Sequence, residues 1–278
     1  MNTILFKCRI PWPLTTISVL WIALNTFSVA WGATTVALWQ GDKKGAVSIT
    51  FDDGLTSQFQ KAFPILQQHG LKATFNIISG QADTTAIREL DANGQEIASH
   101  TVTHPYLTTL SYIQQVYEMS QSQLYLQQIT GQKVDTIAYP YGDYSTNVMN
   151  VARNYYIAGR SADSGSLNSS SPTSDQFYRL FAIGPHDTYG GGDSSAIAGL
   201  RYWTDRAVSE QKWLIELFHG IDTGYDAISS QALSTHLDYL VQNEANLWVA
   251  PMGTVAEYIY EGDAASIIML ARTVIALS

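Results

Sequence analysis

The chain has a single cysteine, Cys8, among its 278 residues. That one thiol excludes an internal disulfide and any cysteine-based metal cage, so a metal site here must use N and O donors. Charged residues are also scarce, at 14%, with 15 Lys and Arg against 24 Asp and Glu and a formal net charge of −9. No basic run occurs anywhere, which argues against a nucleic-acid backbone or an anionic membrane surface as partner. A neutral or cationic substrate is expected. No fixed-period repeat is present. Hydrophobic residues, by contrast, make up 46% of the chain. This suffices for a sizeable core and is too apolar for a disordered protein.

The first 32 residues differ from the rest. Lys7 and Arg9 open the chain, an apolar run covers 14–30, and small residues follow at Ser28, Ala30 and Gly32. This layout reads as a secretory signal peptide over 1–32, with an uncleaved anchor as the competing reading. Cleavage would discard Cys8 and lower the net charge by two further units. A secreted or periplasmic location, without stable membrane insertion, is the resulting expectation. The main domain is expected over 33–262. The apolar segment 263–278 reads as the start of a further domain.

Between these ends, short β-branched and aromatic runs alternate with amphipathic stretches. Strands are expected at 46–51, 72–77, 96–99, 134–139, 155–159, 178–183, 213–218 and 247–250. Helices are expected at 56–69, 84–93, 109–130, 145–154, 194–211, 232–243 and 254–260. The alternation implies βαβ units, a parallel sheet, and an α/β fold of the distorted (β/α) barrel type with about seven parallel strands. The stretches 161–176 and 184–193 read as loops, the second with Gly190, Gly191 and Gly192 in a row.

Four motifs fall at the C-terminal ends of expected strands, the face on which such barrels build active sites. They are Thr50-Phe51-Asp52-Asp53-Gly54, His100-Thr101-Val102-Thr103-His104, Tyr139-Pro140-Tyr141-Gly142 and Leu217-Phe218-His219-Gly220. Each alone has a plain structural reading: the aspartates as a turn, the histidines as a helix face, His219 as a strand-end residue. Together they suggest a hydrolytic metal centre. Two imidazoles at i and i+4 face one way if the segment is a helical turn, and with a carboxylate they leave positions open for water and substrate. Zinc is the default ion, and cobalt, nickel or iron would fit the same donors. His69, His186 and His236 lack partner motifs and read as structural or surface groups. His186-Asp187 in the glycine-rich loop is the pair to watch.

At these residues the chain resembles the polysaccharide deacetylases with NodB homology, carbohydrate esterase family four. The resemblance spans roughly 46–261 and rests on Thr-Phe-Asp-Asp-Gly, His-Thr-x-x-His and Leu217-Phe218-His219. It implies that Asp53, His100 and His104 bind a divalent metal, that Asp52 is the general base, and that His219 protonates the departing amine. It further implies that the Tyr141 N–H, in the segment with Pro140 and Gly142, holds the oxyanion. Many relatives carry a base-steadying arginine two residues before that proline, where this chain has Ala138. Arg160, at the end of the next expected strand, is the candidate substitute. The family's Asp-Trp motif is not evident in 161–175.

The expected activity is N-deacetylation of a chitin-like glycan, another N-acetylated polysaccharide or peptidoglycan. O-deacetylation, as of acetylated xylan, and a carbohydrate-binding barrel without turnover are the alternatives. Tyr139, Tyr141, Tyr144, Tyr189 and Tyr225 are candidates for stacking on sugar rings, whereas Trp203 and Trp213 read as core.

Overall fold

In the computed structural model residues 36–263 are described. The expected leader over 1–32 and all but the first residue of the segment 263–278 lie outside them. Seven strands and six helices alternate along the chain: β1 (Gly45–Asp53), α1 (Phe63–His69), β2 (Thr74–Ile77), α2 (Thr84–Ala92), β3 (Glu96–Ser99), α3 (Tyr112–Thr130), β4 (Thr136–Ala138), α4 (Thr146–Ala152), β5 (Ala158–Arg160), α5 (Asp193–Ser209), β6 (Trp213–Phe218), α6 (Ser230–Gln242) and β7 (Leu247–Val249). A further helical stretch covers 252–263. No described helix is long and apolar enough to cross a membrane.

All strand pairs are parallel, in the order β5-β4-β3-β2-β1-β6. β1 is the axis of the sheet. Its Ala46–Phe51 edge pairs with β6, and its opposite edge is shared, with β7 against Gly45–Val47 and β2 against Thr50–Asp53. Helices cover the outer face, so β1 is buried along almost its whole length. Its sequence nevertheless alternates, with Val47, Ile49 and Phe51 on one face and Ser48, Thr50 and Asp52 on the other, and both faces are buried. Phe51 stacks between Phe75 and Phe218, at 5.1 and 5.5 Å between centroids, and links the cores of three strands.

The sheet curls into a distorted barrel. The expected strand at 178–183 is not one. Instead, Leu180 bridges Arg160 and Ile183 bridges Glu216, so this segment joins the two outer strands by isolated bonds. Leu180 N donates to Gly159 O at 3.0 Å and Ile183 N to Ile215 O at 2.9 Å. The expected strand at 155–159 shortens and shifts to Ala158–Arg160, because 153–155 form the turn that ends α4. The expected helix at 56–69 forms over those residues, with a π-helical turn, Gln58–Ala62, inserted ahead of α1. The expected 109–130 helix starts later, at a capping box made by Ser111 and Gln114.

Candidate active site

β1 ends in Asp52 and Asp53, whose side chains alternate across the strand and divide accordingly. Asp52 is buried. Its Oδ1 accepts from Asn76 Nδ2 on β2 at 2.8 Å and from Arg160 Nη2 on β5. Arg160 is fully buried, and its Nη1 donates to Ser161 O at 2.9 Å. Burial would raise the Asp52 carboxyl, but the Arg160 guanidinium, with His100 and His219, outweighs this and holds it well below the usual carboxylate range. Arg160 thus meets Asp52 from the end of β5, although Ala138 occupies the position two before Pro140.

Asp53 turns toward the histidines, at a backbone φ of 79°. Its Oδ1 lies 3.6 Å from His100 Nε2 and 3.5 Å from His104 Nε2, and the two Nε2 atoms are 3.1 Å apart. The histidines converge without a helical turn, contrary to the simplest reading of their i, i+4 spacing. Left-handed backbone at Thr101 (φ 67°) and His104 (φ 59°) folds the segment into a tight loop. His104 N donates to Thr101 Oγ1 at 3.1 Å. The loop is also gripped from outside by Glu118 on α3. Its carboxylate accepts from Val102 N at 2.8 Å, Thr103 N at 2.9 Å and Thr103 Oγ1 at 2.7 Å. Nothing in the sequence marks Glu118 except its place in an otherwise uncharged helix.

The donor set fits a divalent ion. Three ligands at about 2.1 Å from a tetrahedral centre stand about 3.4 Å from one another, close to the three separations observed. Asp53, His100 and His104 are also the one group of three or more such donors found together among the described residues. His100 Nδ1 lies 2.8 Å from Ala138 O, an acceptor only, so Nδ1 carries the proton and Nε2 presents its lone pair. Burial lowers the His100 pKa despite the nearby Asp52 carboxylate, which favours the neutral, ligating form.

A cleft of about 490 Å³ opens over this cluster and is lined by Asp52, Asp53, His100, His104, Tyr141, His219 and others. His219, just past β6, has a buried Nδ1 without a hydrogen-bond partner among the described residues, and its ring meets Tyr225 edge-on at 4.9 Å. Gln58 Nε2, in the π-helical turn, donates to the backbone oxygens of both Asp52 and His219. The sequence reading passed over Gln58, since a lone glutamine in a helix carries no signal.

Pro140–Gly142 form a tight turn after β4, with Tyr141 at φ 59°. Gly142, at φ 66°, packs so closely that a Cβ there would lie 2.6 Å from Ala162 N. The Tyr141 ring stacks on Tyr106 at 4.0 Å and meets His104 edge-on at 4.5 Å, giving an exposed aromatic surface beside the cluster. Tyr106 was missed in the sequence, although it follows His104 by two residues. Of the other tyrosines proposed for stacking, Tyr139 is buried and donates to Tyr178 O. Tyr144 donates to Asp163, Tyr225 is exposed, and Tyr189 lies in the 184–192 loop. His186 pairs with Asp226 at 2.6 Å.

Barrel and cluster together define an α/β protein of the distorted-barrel type with three donors suited to a divalent metal at the barrel mouth. Comparison with known proteins takes this one step further. Residues 40–158 match the polysaccharide deacetylase family. A putative polysaccharide deacetylase YxkH of Bacillus subtilis is 34% identical over 120 residues, 40% of this chain and 43% of that protein. A chitooligosaccharide deacetylase of Sinorhizobium fredii is 30% identical over 117 residues, covering 41% and 54% respectively. Among solved structures, the Xyl-CE4 domain of a multidomain xylanase from a Trinervitermes trinervoides hindgut metagenome superposes with a TM-score of 0.55. It is 19% identical and covers 77% of this chain and 90% of that one, a likeness of fold. The chain spans about half or less of the length of the curated relatives it matches. The likeness to the polysaccharide deacetylase family is thus one of residues 40–158. The matched segment ends at Ala158, so Arg160 and His219 lie beyond it.

Proposed function

We propose that the protein is a metal-dependent deacetylase that hydrolyses N-acetyl groups of a chitin-like or other N-acetylated glycan. The observation that carries this reading is the pairing of two differently held carboxylates. Asp52 is buried and locked by Arg160 and Asn76, while Asp53 faces two histidines. A divalent ion, zinc by default, held by Asp53, His100 and His104 would supply Lewis acidity toward a water and the acetamide carbonyl. Asp52 takes the proton of the attacking water through Oδ2, because Oδ1 is occupied by Arg160 and Asn76. The Tyr141 N–H donates to the developing oxyanion, oriented by the turn that Gly142 permits. His219 delivers a proton to the amine nitrogen, a poor leaving group until protonated. The leader-like features of 1–32 support action outside the cytoplasm, in a bacterial envelope or beyond it.

Acetate release by the full chain from N-acetylchitooligosaccharides, peptidoglycan and acetylated xylan, with and without chelator and added zinc, tests the proposal. Chelator-sensitive release from an N-acetylated glycan, lost in Asp52→Asn, is expected. Release from xylan alone would make it an O-acetyl esterase. No release with zinc bound and the fold intact would leave a binding role.

A further inference from the structure

Little holds the His219 ring in place. Its buried Nδ1 has no hydrogen-bond partner among the described residues, and Gln58 grips its backbone oxygen rather than its ring. What the ring does meet is Tyr225, at 4.9 Å between centroids and 87° between planes. Tyr225 is itself 74% exposed, so the core does not hold it either. Its place depends on the loop 220–228, which follows His219 and folds back to bring Tyr225 onto the ring.

The base of that loop is closed by backbone bonds, from Ile228 N to Gly220 O at 3.3 Å and from Asp222 N to Ile228 O at 2.8 Å. Asp222 is tied in turn to Lys61 and Ser230. The tip is held differently. Among the described residues the one side-chain hydrogen bond to 223–227 comes from His186, whose Nδ1 lies 2.6 Å from Asp226 Oδ1. A carboxylate only accepts, so Nδ1 carries the proton and donates. Asp226 sits at φ 44°, left-handed backbone that a residue other than glycine keeps only where its surroundings hold it.

The other end of this link is fixed to β6. Ile183 N donates to Ile215 O at 2.9 Å, and Leu217 N donates to Ile183 O at 3.0 Å. Asp187 N donates to Gly184 O at 3.2 Å and Gly184 N to Asp187 Oδ2 at 2.6 Å, closing the turn that carries His186. One strand thus leads into His219 and also anchors, through Ile183, the segment whose histidine holds the loop beyond it.

We propose that His186 is a positioning residue for His219. By holding Asp226 it keeps Tyr225 against the His219 ring, and that contact sets the rotation of the ring in the cleft. This rests on the function proposed above, in which His219 is the proton donor. As the C–N bond breaks, its electron pair goes to nitrogen, and the proton from His219 makes that nitrogen a neutral amine. A misdirected ring slows this step. It does not slow the departure of para-nitrophenolate from para-nitrophenyl acetate, which leaves as a stable anion and takes no proton from the protein.

The test uses the zinc-loaded full chain with isotope-labelled histidine, as wild type, His186→Ala, Asp226→Ala, His186→Asn and Tyr225→Ala. His219→Gln identifies the His219 ring signals in the NMR spectrum by their absence, and Tyr225→Ala shows how they move when the ring contact is lost. His186→Ala and Asp226→Ala break the link from either end and should move the signals the same way, so one suffices if the other does not fold. His186→Asn, whose Nδ2 stands where Nδ1 stood, should keep the wild-type signals. In His186→Ala, kcat for deacetylation of an N-acetylchitooligosaccharide should fall about tenfold at little-changed KM, with para-nitrophenyl acetate hydrolysis within about twofold of wild type. Unmoved His219 signals in a folded His186→Ala or Asp226→Ala protein overturn the proposal. So do rates that fall equally in both reactions or in neither. Moved signals with no deacetylation by wild type uphold the positioning and remove the activity proposed above.

Discussion

Replacing Glu118 with alanine asks how much of the proposed metal site is held from outside the site. The Glu118 carboxylate accepts three hydrogen bonds from the loop between His100 and His104. The alanine variant strands the amides of Val102 and Thr103, and an unsatisfied buried amide costs about 1–3 kcal/mol. Val102 is only half-buried and Thr103 is exposed, so water can reach both and the lower end applies, about 2 kcal/mol in all. That cost is met by letting the loop loosen, and the ordering must then be restored when the ion binds. Zinc affinity should therefore fall about thirtyfold, within the range seen when the outer support of metal ligands is removed. Glu118→Gln should behave differently. Its amide oxygen can still accept from both N–H groups, and its NH₂ can donate to Thr103 Oγ1, since a hydroxyl serves in either role. Affinity in this variant should stay within about threefold of wild type. Competition with a chromogenic chelator measures the constants, and thermal unfolding by circular dichroism checks that each variant folds. A folded Glu118→Ala protein with wild-type zinc affinity would refute the reasoning.

Three further expectations concern the rest of the scaffold. Arg160→Ala leaves Asp52 buried without its cation, which should cost about 3–5 kcal/mol in chemical denaturation along with most of the activity. Arg160→Lys, which keeps charge but not the planar fork, should regain stability more than rate. Gly142→Ala forces a side chain into left-handed backbone, at about 1–2 kcal/mol, and against Ala162 N. On the proposed mechanism its kcat should fall at least tenfold with little change in KM in steady-state assays, because the Tyr141 N–H would be displaced from the oxyanion it is proposed to hold. Glu96, whose carboxylate accepts from Thr74, Thr136 and Gly253, has its pKa raised by burial. The folded state then keeps this proton to higher pH than the unfolded chain. Its stabilisation is complete below the unfolded value of about 4.3 and is lost as pH rises through the folded one. The melting temperature of Glu96→Gln should accordingly gain on wild type between pH 4 and pH 8, and a constant gap would contradict the assignment.

What could be read from the sequence was what rests on residue type and strand order. The β1 run, the carboxylates at its end and the position of His219 after β6 need only the rule that parallel strands end on one face. The short strands were harder. β5 has three residues, and its pairing with β4 runs through backbone bonds such as Ile157 N to Asp135 O and Tyr139 N to Arg160 O, which leave little side-chain pattern to read. The 178–183 segment looks like a strand because it is buried, yet it makes only isolated bridges between two outer strands. The spacing of His100 and His104 brought out the pair but misstated the backbone, since left-handed residues at 101 and 104 leave no periodic trace. Glu118 and Gln58 act through backbone groups of other segments. Partners of that kind have no motif, and only the folded chain identifies them.

The Gln58 amide has a consequence for how the site is assembled. Its two N–H bonds reach the backbone oxygens of Asp52 and His219, the first at the end of β1 and the second just beyond β6. These strands already run side by side, and the clamp closes them at the one point where they would otherwise splay. The spacing between the two groups proposed as proton acceptor and proton donor is therefore a property of the empty barrel. It is set by a neutral crosslink that neither pH nor ionic strength can loosen, before any ion or sugar arrives. The proposed cation would then complete a ruler whose length was fixed when the chain folded.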